Sequence, residues 1–199
     1  MKITTNIKEL MNNRDSQNAF PLAAITGHNL LKLSLLLAAV DPSLGGVIIA
    51  GGRGTGKSVL ARGLHSLIPP IDVLDSEVTL RNLEINIDNY KPVSRNLDPD
   101  KPEEWDENLK KICKNILLKD NDALKDLIAR KVVSAPFIQV PIGITEDRLV
   151  GSIDVAGSLS SGEQVFQPGV LADAHRGVLY IDDINLLDDG IVNLVLEAT

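Results

Sequence analysis

"GGRGTGKS", residues 51–58, follows the apolar run "VIIA" and opens the helically spaced segment "GKSVLARGLHSLI". The eight residues match G-x-x-x-x-G-K-[ST], the pattern of a glycine-rich loop that cradles phosphates between a strand and a helix. Gly51, Gly54 and Gly56 permit positive φ and leave backbone N–H groups free to face phosphate oxygens. The helix N-terminus adds partial positive charge. The alternative, an accidental glycine turn before Lys-Ser, is disfavoured by the full match in this context.

The loop predicts a site that binds ATP and Mg²⁺ as cofactors. Lys57 is expected to reach the β- and γ-phosphates, and the Ser58 hydroxyl is expected to be a ligand of Mg²⁺. The cofactor-binding residues predicted in the loop are Gly51, Gly52, Arg53, Gly54, Thr55, Gly56, Lys57 and Ser58.

A second stretch, "GVLYIDDINLLDD" at 177–189, supplies two adjacent carboxylates. The apolar run 178–181 predicts a buried strand that brings Asp182 to the carboxyl edge of the sheet, where ligands bind in open α/β sheets. Asp182 is expected to hold Mg²⁺ through water, together with Ser58. The alternative is a strand end followed by a solvated turn.

Asp183 is a weak candidate for a catalytic base. Hydrolases of this class usually have glutamate after the magnesium aspartate, and that glutamate polarises the attacking water. Aspartate is one methylene shorter, so its carboxylate is expected to fall about 1 Å or more short of the water. A positioned general base contributes roughly 10²- to 10⁴-fold to the rate. The sequence therefore predicts that nucleotide binding survives while hydrolysis weakens.

Helices and strands alternate along the rest of the chain. Residues 1–19 form a polar leader, and "GHNLLKLSLLLAAVDP" predicts a helix that ends at Asp41-Pro42, with one face marked by Leu30, Leu31, Leu35 and Leu36. Strands are predicted for "VIIA", "APFIQVPIG" and "VLYID", and helices for "GVLADAHRG" and "LLDDGIVNLVLEAT". "SIDVAGSLSSGEQVFQPG" predicts a hairpin whose turn is supplied by Gly157 to Gly162. The alternation is typical of an α/β fold with a mostly parallel sheet.

Between about residues 73 and 134 the chain is mixed in charge and is interpreted as an insertion carried on the core. "WDENLKKICKNILLKDNDALKDLIARKV" predicts one or two surface helices, with Ile112, Ile116 and Leu117 on one face. A flexible linker is the alternative, although the apolar stripe favours docking. Because no stop signal follows Thr199, the chain is expected to be cut in mid-domain.

Composition excludes several classes of protein. With 44% hydrophobic and 24% charged residues, the 199-residue chain falls in the range of soluble globular proteins. The net charge of −7 argues against a nucleic-acid surface, and no apolar run reaches the roughly 20 residues of a membrane span. The single cysteine, Cys113, allows no intrachain disulfide and is expected to be a small apolar residue on a helix face. His65 and His175 are expected to be helix-face residues rather than ligands.

Three stretches together resemble the AAA+ module of magnesium chelatase: "FPLAAITGHNLLKLSLLLAAVDPSLGGVIIAGGRGTGKSVLARGLHSLIPPI", "APFIQVPIGITEDRLVGSIDV" and "FQPGVLADAHRGVLYIDDINLLDD". The likeness covers residues 20–72 and 134–199. It implies a P-loop AAA+ (ASCE) fold of three layers, α/β/α, around a parallel sheet. "RLVGSIDVAGSLSSGEQVFQPG" resembles the extra hairpin inserted within a helix in this branch, and 20–199 would be the N-terminal part of the AAA+ domain. The rest of that domain, a linker and a C-terminal domain are expected beyond Thr199.

The resemblance also implies a function. Magnesium chelatase has two types of AAA+ subunit, the I-type motor and its D-type partner, and the motor is expected to carry Asp-Glu where this chain has Asp182-Asp183. The chain therefore looks more like the D type. In that enzyme, ATP hydrolysis by the motor, in a ring of hexameric type with its partner, drives the porphyrin-binding H-type subunit to insert Mg²⁺ into protoporphyrin IX for chlorophyll synthesis. The alternatives are an active I-type motor and a MoxR-like AAA+ remodelling chaperone. A cytoplasmic location in a cyanobacterium, or the plastid stroma, is expected.

Further roles follow from the resemblance position by position. Ile25 and Gly27 stand where the family's pre-strand segment approaches adenine, and His28 stands where many relatives have glutamine. The sensor asparagine, the arginine finger and the second sensor are expected beyond Thr199. The charged run 146–148, Glu-Asp-Arg, is either a subunit or client contact or a solvated turn.

Overall fold

The structure is a computed structural model that describes residues 19–52, 54–85, 93–117, 127–162 and 164–198. Almost all of the predicted leader and Arg53 of the loop lie outside these residues, as do the side chains of Ile116 and Leu117. The α-helices are α1 (Asn29–Val40), α2 (Lys57–His65), α3 (Ser76–Asn82), α4 (Glu107–Leu117), α5 (Glu146–Val150), α6 (Val155–Ser161), α7 (Val170–Asp173) and α8 (Asp189–Glu197). The strands are β1 (Ile71–Leu74), β2 (Arg130–Val133), β3 (Phe137–Val140), β4 (Gly151–Ile153), β5 (Phe166–Pro168) and β6 (Val178–Ile181).

Strands β3 and β6 are the parallel pair that positions the candidate site. Their register runs from Phe137 opposite Val178 to Val140 opposite Ile181. Both strands match the elements predicted from "APFIQVPIG" and "VLYID". Because parallel neighbours end at the same edge of a sheet, the pair carries the residues that follow Ile181 to the carboxyl edge.

The predicted strand "VIIA" is wrong as a hydrogen-bonded element. Residues 47–50 belong to no strand in the described part of the chain. Val47 and Ile49 are half-buried, whereas Ile48 is 79% exposed. The alternation of burial is typical of an extended segment. A strand, however, also needs hydrogen bonds to a neighbouring strand, and none of the described strands pairs with residues 47–50.

Helix α1 runs where the leucine spacing predicts it and ends before Pro42, but its predicted face is only partly correct. Leu35 is buried and Leu31 packs half-buried beside it. Leu30 is 81% exposed and Leu36 is 40% exposed. The helix buries only the narrower side that meets α2, so a stripe read from sequence spacing overestimates its core face.

The predicted hairpin exists, but its connection is a helix rather than a tight turn. Strands β4 and β5 pair antiparallel, and α6 lies between them. Asp154 caps α6 by accepting a hydrogen bond from the Gly157 N–H at 2.9 Å. Gly157 is therefore helical, and only Gly162, with φ of 72°, has the left-handed conformation that ends the helix.

The segment predicted to be an insertion has a hydrophobic cluster of its own. Strands β1 and β2 pair antiparallel and bracket residues 75–129. The predicted surface helix is present as α4, yet it buries Leu109 and Cys113, with Ile112 only half-buried beside them. The cluster consists of Leu74, Leu80, Leu97, Trp105, Leu109 and Cys113. Burial raises the pKa of the Cys113 thiol to about 11, so the side chain is a neutral apolar group at pH 7, as expected.

Substitution of Gly177 tests the packing of the parallel pair. A Cβ at this position would lie 2.3 Å from the carbonyl oxygen of Pro136, which accepts a 2.8 Å hydrogen bond from the Val178 N–H. Because the obstacle includes backbone, Gly177→Ala is expected to lower the free energy of unfolding by about 1–3 kcal/mol. Urea unfolding followed by circular dichroism measures it.

Gly190→Ala is the matched control for that substitution. Gly190 lies in the first turn of α8, and a Cβ there would meet nothing within 4 Å. Alanine should raise the free energy of unfolding by about 0.4–1 kcal/mol. Equal effects of the two substitutions would contradict the packing described for β3 and β6.

Candidate functional site

The glycine-rich loop has open space beside several of its glycines. Gly54 and Gly56 have φ of 79° and 77°, a left-handed conformation that glycine adopts without strain. Gly51 does not have a positive φ, so it does not use the conformational freedom that glycine allows. A Cβ on Gly52, Gly54 or Gly56 would have no heavy atom within 4 Å, apart from its chain neighbours. The loop therefore leaves its backbone accessible to a bulky group.

Polar side chains of the loop turn back onto its own carbonyls. The Lys57 ammonium donates to the carbonyl oxygens of Gly51 and Gly52 at 2.8 and 3.0 Å. The Thr55 hydroxyl donates to Gly52 O at 3.0 Å. Gly56 precedes α2 and makes no side-chain cap, so no side chain at the N-cap occupies the first N–H groups of the helix. The loop therefore combines the positive charge of Lys57 with the N-terminus of α2.

The apolar face of α2 fixes the helix against the N-terminal part of the chain. Leu60 and Leu64 are buried in a cluster with Leu22 and Leu35. Close approach is possible because Gly63 faces the backbone at Phe20, where a Cβ would lie 3.1 Å from the carbonyl oxygen.

The polar face of α2 lies against the parallel strands. Arg62 places its guanidinium 5.2 Å from the centre of the Phe137 ring and donates to Gln139 Oε1 at 3.3 Å. His65 lies one turn further on, and its Nε2 is 2.7 Å from the carbonyl oxygen of Ala135, which requires the Nε2–H tautomer. His65 is thus a helix-face residue, as predicted.

Tyr180 connects the other end of this face to the sheet and was missed by sequence reasoning. Its hydroxyl donates to Ser58 Oγ at 3.1 Å, and its ring stacks on Phe137 at 5.8 Å between centroids. Asp182 follows two residues later, just beyond the end of β6. The position of Tyr180, two residues before Asp182 in an otherwise aliphatic run, is the signal that could have identified it.

The two carboxylates that follow β6 are half-buried at the carboxyl edge of the sheet. Within the described ranges, no hydrogen bond or ion pair engages the side chain of Asp182 or of Asp183. Asp183 has φ of 48° and ψ of 56° and precedes the short 3₁₀ turn Ile184–Leu186. Aspartate is among the few residues other than glycine that adopt this conformation readily.

Comparison with known proteins places these features in context. The chain is 46% identical to the magnesium-chelatase 67 kDa subunit of Heliobacterium mobile, over 91% of this chain and 24% of that protein. It is 40% identical to the magnesium-chelatase subunit ChlI of Euglena gracilis, over 94% of this chain and 47% of that protein. Its fold matches a chain in the complex between subunits BchI and BchD of magnesium chelatase, which is based on a single-particle cryo-EM reconstruction. That match has a TM-score of 0.58 and 36% identity, and it covers 90% of this chain and 46% of that chain.

The homologues of this chain are magnesium-chelatase subunits. Its fold is the α/β fold of the P-loop AAA+ proteins, as predicted. The chain spans about a quarter to a half of the length of these relatives. The relatives fit an I-type subunit. They do not confirm the predicted D type. No protein-family model matches the chain.

The segment expected near adenine lies beside α2 in this magnesium-chelatase homologue. Ile25 packs half-buried on the cluster that contains Leu60, and its carbonyl oxygen accepts a hydrogen bond from the Lys32 ammonium. Gly27 and His28 both have left-handed backbone, with φ of 77° and 53°, and turn the chain into α1. The same cluster therefore ties this segment to the helix that carries the loop.

The remaining candidates lie on α5 and in the turn after α7. The charged run 146–148 forms the exposed first turn of α5 and leaves only Leu149 buried. His175 lies in the turn after α7 rather than on a helix face, which corrects the prediction for it. The described residues include no group of three or more His, Cys, Asp or Glu side chains able to hold a metal ion. Nor is any helix in that part of the chain long and apolar enough to cross a membrane.

Proposed function

We propose that this chain is the nucleotide-binding part of a magnesium-chelatase AAA+ subunit of D type, which binds ATP with Mg²⁺ and hydrolyses it weakly. The observation that carries the proposal is the open glycine loop at the N-terminus of α2, with Ser58 and β6 side by side. The open space beside Gly52, Gly54 and Gly56 supports an approach of phosphate oxygens to the backbone N–H groups of the loop.

Each loop residue would have a defined role in binding. The N–H groups of 51–58 would donate to phosphate oxygens, and Lys57 would exchange its carbonyl partners for the β- and γ-phosphates. Ile25 and Gly27 would border the adenine. Ser58 and Asp182 would hold Mg²⁺, which prefers oxygen ligands and commonly uses only one or two from protein beside phosphate and water. The bound ion would neutralise charge on the phosphates.

Weak hydrolysis is proposed from Asp183. Its left-handed backbone favours the short carboxylate over a longer side chain, and the shorter reach withdraws the base from the attacking water.

The proposed role of the whole protein is a ring platform in magnesium chelatase, a ligase that forms nitrogen–metal bonds. Its partners would be the I-type ATPase motor, in a hexameric assembly, and the porphyrin-binding H-type subunit, and the product would be magnesium protoporphyrin for chlorophyll synthesis. We propose a location in the cytoplasm of a cyanobacterium or in the plastid stroma, since relatives come from cyanobacteria and plastid-bearing organisms.

The second candidate is the active motor, which the 40% identity with a ChlI subunit favours. In that case Asp183 would be a working substitute for glutamate. A MoxR-like remodelling chaperone, with a protein client and no porphyrin chemistry, is the third candidate and rests on the shared AAA+ fold alone.

Reconstitution of magnesium insertion tests the role. The full-length protein is mixed with the purified motor and porphyrin-binding subunits, protoporphyrin IX and MgATP, and magnesium porphyrin is followed by fluorescence. Formation should require all three proteins. Formation without the added motor would show this protein to be the motor itself. No gain over the motor and the porphyrin-binding protein together would favour the chaperone.

Lys57→Ala is expected to weaken the binding of ATP at least tenfold. In the proposed site the Lys57 ammonium binds the phosphates, so its removal should weaken binding. A tenfold rise in the dissociation constant corresponds to about 1.4 kcal/mol. Titration with a fluorescent ATP analogue measures the dissociation constant. The matched control is Lys110→Ala, because Lys110 pairs with Glu107 on the surface of α4, far along the chain. Equal affinity of wild type and Lys57→Ala would refute the phosphate role.

Asp183→Glu is expected to raise ATP turnover by roughly tenfold or more, because it restores reach to the water. The unfolding free energy should fall slightly, since glutamate is less tolerant of positive φ. Turnover is measured with a phosphate-release assay on the full-length protein, with Asp183→Asn alongside. A wild-type rate of about 1 s⁻¹ or faster, abolished in Asp183→Asn, would instead identify the motor.

A further inference from the structure

We propose that Tyr180 is a positioning residue for the metal-binding hydroxyl of Ser58. The inference rests on the proposed function, because it concerns the same phosphate site. The Tyr180 hydroxyl lies 3.1 Å from Ser58 Oγ, across 122 positions of sequence. In the described part of the chain, Ser58 Oγ has no other hydrogen-bond partner. Tyr180 is therefore the protein group that sets the direction of this oxygen.

The chemistry of a serine ligand explains why such a partner matters. A hydroxyl has one O–H and two lone pairs, and the group rotates freely unless a partner holds it. A serine oxygen that gives a lone pair to a cation keeps its proton, which needs an acceptor. Two hydroxyls 3.1 Å apart can exchange donor and acceptor roles, so Tyr180 Oη can accept a hydrogen bond from the Ser58 O–H while the serine keeps its proton. Groups that orient metal ligands in this way contribute about 10- to 100-fold to metal affinity or activity.

Tyr180 is itself held rigidly enough to orient another side chain. It lies inside β6, and its ring stacks on Phe137 with an interplanar angle of 20°. Phe137 belongs to the neighbouring strand and has the Arg62 guanidinium over its ring. The tyrosine hydroxyl is thus placed by the sheet. Asp182 follows two residues later in the chain, just beyond the end of β6.

A purely structural role for Tyr180 makes a different prediction. The polar face of α2 already has anchors at its other end, where Arg62 and His65 bond to Gln139 and the backbone of Ala135. If Tyr180 served only as one more anchor, its loss would weaken nucleotide binding equally with and without Mg²⁺. Loss of the Arg62 anchor would then have the same effect.

The test separates the magnesium-dependent part of nucleotide affinity from the rest. Dissociation constants of a non-hydrolysable fluorescent ATP analogue are measured for full-length wild type and Tyr180→Phe, in EDTA and in saturating Mg²⁺. In Tyr180→Phe the affinity in EDTA should stay within about twofold of wild type, and the gain on adding Mg²⁺ should fall about tenfold. The matched control, Arg62→Gln, should keep the wild-type gain. Phenylalanine keeps the stacked ring, and thermal unfolding verifies the fold.

A double-mutant cycle completes the experiment. Ser58→Ala should reduce the magnesium gain, and adding Tyr180→Phe should cause no further loss, because Tyr180 acts through Ser58. A full wild-type gain in Tyr180→Phe, or equal losses in EDTA and Mg²⁺, would overturn the inference and leave the proposed nucleotide binding standing. A wild type that binds no nucleotide, or that binds it without any magnesium gain, would overturn both.

Discussion

Helix α2 is held on two faces at once, and the geometry of the candidate site depends on that double attachment. Its apolar face buries Leu60 and Leu64, each worth about 1.5–3 kcal/mol. Its polar face makes hydrogen bonds through Ser58, Arg62 and His65, each worth about 1 kcal/mol net. Burial therefore contributes at least as much attachment energy as the hydrogen bonds, and the directional bonds set the rotation and register of the helix. The loop is presented at the sheet edge because both conditions are met together.

Backbone conformation and chemistry are coupled at Asp183. The chain turns through the left-handed region immediately after β6, a conformation that short polar side chains accept more readily than long ones. The same choice shortens the reach of the carboxylate. The preference for a short side chain at Asp183 can thus favour the fold and lower the capacity for hydrolysis. The loop that would hold the phosphates is unchanged.

The segment between β1 and β2 has a hydrophobic cluster of its own. Its cluster around Trp105 and Leu109 is separate from the cluster under α2 and from the one formed by Val140, Leu149 and Ile191. Trp105 satisfies its indole N–H on the carbonyl oxygen of Asp98 at 2.7 Å, within the same segment. The segment therefore buries its apolar side chains locally and meets the turn before β6 through polar contacts, such as the hydrogen bond from the Asn96 side chain to the carbonyl oxygen of His175.

The sequence by itself determined the elements whose patterns are local: the glycine loop, α2, and the strands "FIQV" and "VLYI". A short apolar run or a glycine motif sets backbone conformation within a few residues, so such features can be read directly. Tertiary structure alone decided the pairing state of 47–50, the exposure of Leu30 and the helical state of Gly157. It also decided the contact of Tyr180 with Ser58, because partners 122 positions apart leave no local pattern. Strand pairing and the choice of buried face depend on which other element packs against a segment. That element comes from a distant part of the chain and is therefore not visible in the local sequence.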